Sequence, residues 1–413
     1  MLRKLTYLGL AGCLLLLVTS AAIPSPQEEK AAENKKVPKD QQEYELISKA
    51  FAKETTPQER LQYLDEWQQK YPETAFDVDR ARLFMVSYHQ TNQGAKALEA
   101  AKGFLEKAPD DFAALYLITS LTPFVPDTTE QHWADADKAS NALLAGGIEK
   151  QFAAANKPAG TDQAQWDSDK QQAIANAHQT LGWTAMQRKE HVKAEEAFKR
   201  SLQANPNSAQ VSYWLGQEVS AQADPDKNEL ALFSFARAAT YDGPGALTPQ
   251  GRQQLDDYLV KVYSKYTGTD EGLAELKALA KSQPLPPSDL EIESAEVRRF
   301  QAEQQRRKAD PLLYKFLDLK TTLLSAKGDA TWGNLRGKLT PEMSLYVISA
   351  DSARPTTINL SSQQGGAVEV VLDLENRLRS APRVGSKVRF EGVASSLTKS
   401  PFRLGLTDGK VLN

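Results

Sequence analysis

Few residues in this chain could do chemistry, and their spacing is poor. The four histidines are His89, His132, His178 and His191, and the single cysteine is Cys13. No two histidines have metal-ligand spacing, and no cysteine lies near them. No serine lies in a Gly-x-Ser-x-Gly elbow, and no glycine-rich phosphate loop follows a predicted strand. The sequence therefore predicts no catalytic residue, no cofactor and no metal.

One polar run resembles the start of a calcium-binding loop. Asp224, Asp226 and Asn228 alternate as calcium ligands do. The sixth position needs a glycine, but Glu229 stands there, and Pro225 separates the two aspartates. We interpret the run as a solvated turn.

Two stretches share a pattern of small, aromatic and helix-ending residues. The first, at 175–208, carries Leu181-Gly182, Ala194, Phe198 and Pro206. The second starts at Ala209 and matches if three residues are inserted in its turn at 221–228. Its matching residues are Trp214-Leu215-Gly216, Ala231, Phe235 and Ala238. In a 34-residue helix–turn–helix frame this pattern resembles the tetratricopeptide repeat (TPR) family.

Weaker copies surround these two. The stretch 82–109 fits with Met85 in place of Gly182, so this copy is degenerate. Further copies are expected at 41–74, 112–147 and 250–283. One repeat cannot bury its own apolar face, so a tandem array is the expected form. The resemblance implies a mainly α fold, a right-handed TPR-like α-solenoid over residues 41–283.

The resemblance also implies a binding groove, because the first helices of TPR pairs line a concave surface. We expect the groove positions to hold Asn176, Gln179 and Trp183, then Gln210, Tyr213 and Gln217, and in the degenerate copy Asp79, Arg82, Val86 and His89. Amide and aromatic side chains suit an extended peptide. Trp183 has a second interpretation as a core residue, and core is the favoured interpretation for Trp214. The lysine–asparagine carboxylate clamp of some TPR proteins is absent from these positions.

The amino terminus predicts export. Arg3 and Lys4 precede an apolar run, and small residues ending at Ala22 offer a cleavage site, so 1–22 reads as a signal peptide. Two alternatives stay open: an uncleaved anchor at 5–23, or a lipoprotein modified at Cys13. All three place the chain in the periplasm or cell envelope.

Composition limits the function classes. Lys and Arg number 50 against 53 Asp and Glu, a net charge of −3, which does not indicate a nucleic-acid binder. The lack of any cysteine after Cys13 excludes disulfides from a cleaved chain and favours a bacterial origin. Residues 23–40 have no apolar period, which predicts a disordered spacer.

The carboxyl-terminal third differs in residue pattern from the helical repeats. Three prolines at 282–289 predict a boundary, and 284–330 is expected to be a linker and helical connector. Five short β-rich runs then predict a small barrel at 331–413, OB-like or SH3-like. They are Leu345–Ala350, Thr357–Leu360, Val368–Leu372, Lys387–Val393 and Phe402–Leu406.

The predicted barrel is mildly basic, with Arg377, Arg379, Arg383, Lys387 and Arg389 close in sequence. A charged loop beside an exposed strand accounts for this cluster without a ligand. An OB-like barrel offers a second hypothesis, in which the barrel acts as a carbohydrate- or peptidoglycan-associated module.

The sequence thus favours an exported, non-enzymatic scaffold or adaptor that holds a protein or peptide in its TPR groove, within the cell envelope. Nucleic acid is not expected as a partner. Membrane contact is expected only through the N-terminal segment, if it is not cleaved.

Overall fold

The structure, a computed structural model, describes residues 36–126 and 129–412. The predicted signal or anchor and most of the predicted spacer lie outside the described residues. The chain separates into two compact units, a helical unit that ends at Ile292 and a barrel unit that begins at Glu293. Among the described helices, none combines the length and the hydropathy needed to cross a bilayer.

The helical unit is a succession of α-helices that pack in chain order. They are α1 (Gln41–Phe51), α2 (Pro57–Lys70), α3 (Asp77–Gln90), α4 (Gly94–Leu105), α5 (Phe112–Leu121), α6 (Glu130–Ala142), α7 (Ile148–Gln151), α8 (Gln163–Gln187), α9 (His191–Ala204), α10 (Ala209–Ala221), α11 (Asn228–Thr240), α12 (Pro249–Thr267) and α13 (Leu273–Ser282). Helices α1 and α2, α3 and α4, α5 and α6, α8 and α9, and α10 and α11 form packed pairs, and each pair packs on the next. The predicted mainly helical character is confirmed.

Most of these helices begin after a residue whose side chain caps the helix N-terminus. A side-chain oxygen just before the helix accepts a backbone N–H of its first turn, which satisfies a donor that the helix cannot. The residues that cap in this way are Asp40, Thr56, Asp111, Thr129, Asp162, Ser208 and Thr248. At α2, Glu59 returns the bond and completes a capping box.

Three inter-helix turns have the same backbone geometry. Asn92, Lys189 and Ala223 adopt a positive φ of 57°, 62° and 53°. Each lies seven residues after Met85, Gly182 or Gly216 respectively, the positions that the sequence pattern aligns. A left-handed residue is rare outside glycine, so its recurrence at one place in three pairs reflects a shared turn.

Helices α8 and α9 touch where Gly182 faces Phe198. A Cβ on Gly182 would lie 2.6 Å from Cδ1 of Phe198, and one on Gly216 would lie 2.8 Å from Cδ1 of Phe235. The same contact therefore joins both pairs, despite the three-residue insertion in the second turn. Only glycine leaves room for a ring at this distance.

In the pair formed by α3 and α4, the large residue is on the first helix and the small residue is on the second. Met85 stands at the glycine position of α3, and Ala101 stands at the phenylalanine position of α4. Both are buried in one core cluster, at 1% and 0% exposure. A large residue on the first helix is thus matched by a small one on the second, and the interior volume is kept.

Helix α8 starts well before residue 175, the expected start of its repeat. Asp162 caps it by accepting the N–H of Gln165. The added turns are anchored by Trp166, which is buried, packs 4.7 Å from the ring of Phe152 and donates Nε1–H to the Phe152 carbonyl. These contacts hold the extra turns although their sequence is mostly polar.

The last pair is packed differently from the others. Helices α12 and α13 both lie against α11. Arg237 of α11 is buried and donates to the carbonyl oxygens of Ala280, Lys281 and Pro206. The guanidinium group thus caps the end of α13 and the segment after α9 together.

The proline-rich segment after α13 belongs to the helical unit. Leu285 packs on the cluster that contains Phe198 and Trp214, while Leu290 and Ile292 pack on the cluster of α11 to α13. These apolar residues hold a non-helical segment against the helices, and the boundary between the units therefore follows Ile292.

The barrel unit opens with helices α14 (Ala295–Ala309), α15 (Pro311–Leu324) and α16 (Gly328–Leu335). Its strands are β1 (Met343–Ala350), β2 (Thr357–Ser361), β3 (Val370–Leu374), β4 (Lys387–Lys399) and β5 (Phe402–Leu412), which confirms the expected five-stranded barrel. The sheet closes in the order β1-β2-β3-β5-β4, with β1 paired to β4 and β3 parallel to β5.

Helix α15 completes the barrel core and is more than a connector. Phe316 has 0% exposure within the barrel cluster, and its ring lies 6.2 Å from that of Phe402. The apolar stripe expected for this helix therefore packs on the barrel. Helix α14 has no buried residue and is joined to α15 by the paired bonds of Arg307 to Asp318, at 2.9 and 3.0 Å.

Candidate functional site

The predicted groove positions on α8 have three different environments. Asn176 Nδ2 donates to Tyr116 Oη at 2.7 Å, so this amide joins α8 to α5. Trp183 is 9% exposed and lies in the cluster with Phe198 and Trp214. Of the two interpretations of Trp183, the structure places it in the core. Gln179 is half-buried and makes no side-chain hydrogen bond within the described residues.

Helix α10 presents a strip of neutral polar groups. Gln210 is half-buried, without a side-chain hydrogen bond in the part of the chain that the structure describes, and Gln217 is exposed. The Tyr213 ring lies 6.3 Å from that of Phe235. Burial raises the pKa of Tyr213, with a smaller contribution from Tyr258, against the hydrogen bond to Gln217.

Tyr258 of α12 extends this strip, and sequence reasoning missed it. Its ring meets that of Phe235 edge-on at 5.3 Å, and its side chain is 39% exposed. No local sequence signal marked it, because the contact with Phe235 joins α12 to a different helix. We name Gln179, Gln210, Tyr213, Gln217 and Tyr258 the amide–tyrosine strip.

The predicted groove positions on α3 are mostly occupied by other contacts. Arg82 Nη2 lies 3.4 Å from Asp111 Oδ2. Asp79 pairs with Lys36 at 2.7 Å, and Val86 packs on the neighbouring core cluster. Burial lowers the pKa of His89, which favours the neutral imidazole. The degenerate copy therefore leaves fewer groups for a ligand than α10 does.

A shallow hollow of about 520 Å³ lies at the turns of two successive pairs. Its lining residues are Lys189, Glu190, His191, Val192, Lys193, Gln222 and Asp224. His191 Nδ1 is 2.7 Å from Glu218 Oε2, and Glu218 is 6% exposed. Its charges are of both signs and largely paired, so the hollow has no clear preference for one ligand charge.

Beside the hollow, Glu195 forms the centre of a buried polar network that the sequence did not reveal. Lys227 Nζ lies 2.7 Å from Glu195 Oε2, and Gln222 donates to the same oxygen at 2.8 Å. Burial raises the pKa of Glu195, but the bonds from Lys227, Gln222 and Lys199 outweigh it and hold this pKa below its ordinary value. Glu195 follows Ala194 on the buried stripe of α9, which is the available sequence signal.

The described residues carry no arrangement suited to metal chemistry. No group of three or more His, Cys, Asp or Glu side chains among them could hold a metal ion. The run that resembles a calcium loop forms a turn, in which Asp224 accepts the N–H of Asp226 at 3.1 Å.

Comparison with known proteins gives the chain no family: no protein-family model matches it, and no curated protein sequence matches it.

Proposed function

We propose that this protein is an exported, non-enzymatic scaffold whose helical unit is a TPR-like solenoid that holds a protein or peptide partner. The observation that carries the proposal is the recurring helix pair. Turn geometry repeats at Asn92, Lys189 and Ala223, and the glycine–phenylalanine contact repeats at two pairs. Tandem pairs of this kind present their first helices side by side as an extended binding surface.

The amide–tyrosine strip supports a peptide as the partner. Its side chains are glutamine amides and tyrosine hydroxyls, which donate to and accept from peptide groups without a net charge. Tyrosine also covers apolar area at low entropic cost, since it has few rotatable bonds. We therefore propose that the partner binds as an extended segment with neutral side chains over α8, α10 and α12.

Photo-crosslinking tests this assignment. A crosslinking amino acid is placed at Gln210 or Gln217, and at Gln203 of α9 as an exposed control outside the strip. The variants are expressed in the native organism and irradiated. We expect one partner to crosslink from Gln210 and Gln217 but not from Gln203. Equal crosslinking from the control, or partner capture by a Tyr213→Ala, Tyr258→Ala variant at wild-type level, would refute the strip as the site.

A second candidate function rests on the strand order of the barrel. Closure of β1 on β4, together with the parallel β3–β5 pair, fits a five-stranded Greek-key barrel, and we propose that the barrel is OB-like. Barrels of that type bind oligosaccharides in other proteins, so this unit could serve a carbohydrate-associated role. Binding of peptidoglycan fragments to the full chain, lost on changes in the barrel and kept on changes in the strip, would favour this alternative.

A further inference from the structure

Two loops of the barrel unit are joined at one place. The Leu378 N–H donates to the Pro355 carbonyl at 3.1 Å, and the Ala381 N–H donates to the Ala353 carbonyl at 2.9 Å. The first loop spans 351–356, between β1 and β2, and the second spans 375–386, between β3 and β4. The two bonds flank Arg354 and hold it beside the second loop.

These loops, which we name the arginine loops, carry four exposed cations. They are Arg354, Arg377, Arg379 and Arg383. Within residues 129–412, none of these guanidinium groups forms an ion pair or a side-chain hydrogen bond. Four like charges on two joined loops repel one another, so an anionic partner would relieve an unfavourable arrangement.

Several other basic residues of the barrel unit form ion pairs with acids. The pairs are Lys387–Asp310, Arg389–Glu342, Lys320–Glu369, Lys399–Asp329 and Lys410–Glu375. The acids inside the arginine loops are also engaged. Asp351 accepts the N–H and the hydroxyl of Thr356, and Glu375 pairs with Lys410. Neither of these two acids forms an ion pair with an arginine of the loops in the described part of the barrel unit.

The composition of the loops favours a lipid surface over a single-stranded nucleic acid as the anionic partner. Neither loop contains an aromatic residue, so the stacking that single-stranded nucleic acids use is absent there. Val384 lies beside Arg383 and is 65% exposed. An exposed aliphatic side chain among guanidinium groups fits a lipid interface, where the apolar group enters the surface and arginine binds phosphate.

We propose that the arginine loops dock on an anionic phospholipid surface. The apolar run at 5–23 supports this choice of anion, since a chain that inserts in or crosses a bilayer is delivered to one. This surface is separate from the amide–tyrosine strip and adds a second membrane contact to the one expected from the N-terminal segment.

Vesicle binding by the full chain tests the proposal. The partition coefficient is measured on phosphatidylcholine vesicles with and without phosphatidylglycerol. The readout is the coefficient with phosphatidylglycerol divided by the coefficient without it, because the contribution of the apolar N-terminal run cancels in this ratio. We expect the wild-type ratio to exceed tenfold at low salt, since each of four arginines adds about fivefold when it reaches the surface. The ratio should fall toward one at high salt, where the screening length drops to about 3 Å.

Three variants make the test specific. Changing the four arginines to glutamine should lower the ratio to about one, because the preference for the anionic vesicles is lost. Changing them to lysine should keep most of this preference. The matched control removes four exposed, unpaired lysines of the helical unit, Lys53, Lys150, Lys261 and Lys265, and should leave the ratio unchanged. Circular dichroism of each variant confirms folding.

Three results would overturn the proposal. The glutamine variant keeps the wild-type ratio, or the lysine control loses as much as the arginine variant, or a single-stranded oligonucleotide binds the arginine loops more tightly than the anionic vesicles do. None of these bears on the amide–tyrosine strip, so the two assignments fail independently.

Discussion

The contact between Gly182 and Phe198 determines how α8 and α9 respond to a change in side-chain volume. A Cβ at residue 182 would lie 2.6 Å from the ring, inside normal van der Waals separation. The pair formed by α3 and α4 shows the alternative, with Met85 at the glycine position and Ala101 at the phenylalanine position, both in one buried cluster. We predict that Gly182→Met is tolerated well only when Phe198→Ala removes the ring.

The magnitudes follow from burial. Phe198 has 0% exposure, so Phe198→Ala alone should lower the free energy of unfolding by about 3–5 kcal/mol. Overpacking by Gly182→Met alone should lower the free energy of unfolding by about 1–3 kcal/mol. The better helix propensity of methionine should offset about 1 kcal/mol of that loss. In the double variant the methionine fills the space that the ring left. We expect a total cost of about 1–3 kcal/mol and a favourable coupling of about 2 kcal/mol or more.

Urea unfolding followed by far-ultraviolet circular dichroism measures all four species of this cycle. Gly103 of α4 supplies the control, because a Cβ there would meet no atom within 4 Å. Gly103→Ala should therefore stabilise the protein by about 1 kcal/mol. If the costs at 182 and 198 add within about 0.5 kcal/mol, the two positions do not share a volume and the reasoning is refuted.

Three further predictions concern buried polar groups. Arg237→Met should lower the free energy of unfolding in urea by about 2–4 kcal/mol, because three carbonyl groups lose their donor; Arg237→Lys, a point charge without the fork, should recover only part of it. Burial lowers the pKa of His89 and His178 below 6.5, so the unfolded chain binds more protons in mild acid. The melting temperature should therefore fall as pH drops below about 6.5, and a double glutamine variant should show a flatter profile; an unchanged slope would contradict this. Glu195→Gln should cost about 1–3 kcal/mol at neutral pH, and since the pKa of Glu195 is held below 4.5, this difference should shrink as pH falls through that lowered pKa; a difference that persists in acid would assign the effect to packing.

Much of the architecture could be predicted because its signals are local. The glycine and phenylalanine spacing of the two best copies, and the period-two pattern of Lys387 to Glu391, depend on residues close in sequence. The early start of α8 could not be predicted in this way. Its extra turns are mostly polar and depend on Trp166 meeting Phe152, which comes from a separate segment. The packing of Phe316 into the barrel is likewise a non-local contact.

Helical spacing cannot show which of the expected groove side chains are free to meet a ligand. It predicted positions for Asn176 and Trp183 on α8, but it could not show what each side chain contacts. Asn176 is used by Tyr116, which lies 60 residues earlier in the chain. Trp183 is covered by the neighbouring helix pair. Tyr258 enters the strip because Phe235 connects it to α10, a relation that only the folded chain reveals.

The two candidate surfaces differ in the physics of binding. The amide–tyrosine strip offers neutral donors, acceptors and rings, so its affinity for a peptide depends on short-range contacts that salt screens little. The arginine loops offer unpaired charge with one exposed aliphatic group, so their affinity depends on long-range attraction that salt removes. Because each chemistry is confined to its own unit, one protein could hold a peptide by contact and a lipid surface by charge, and ionic strength would loosen the second while leaving the first in place.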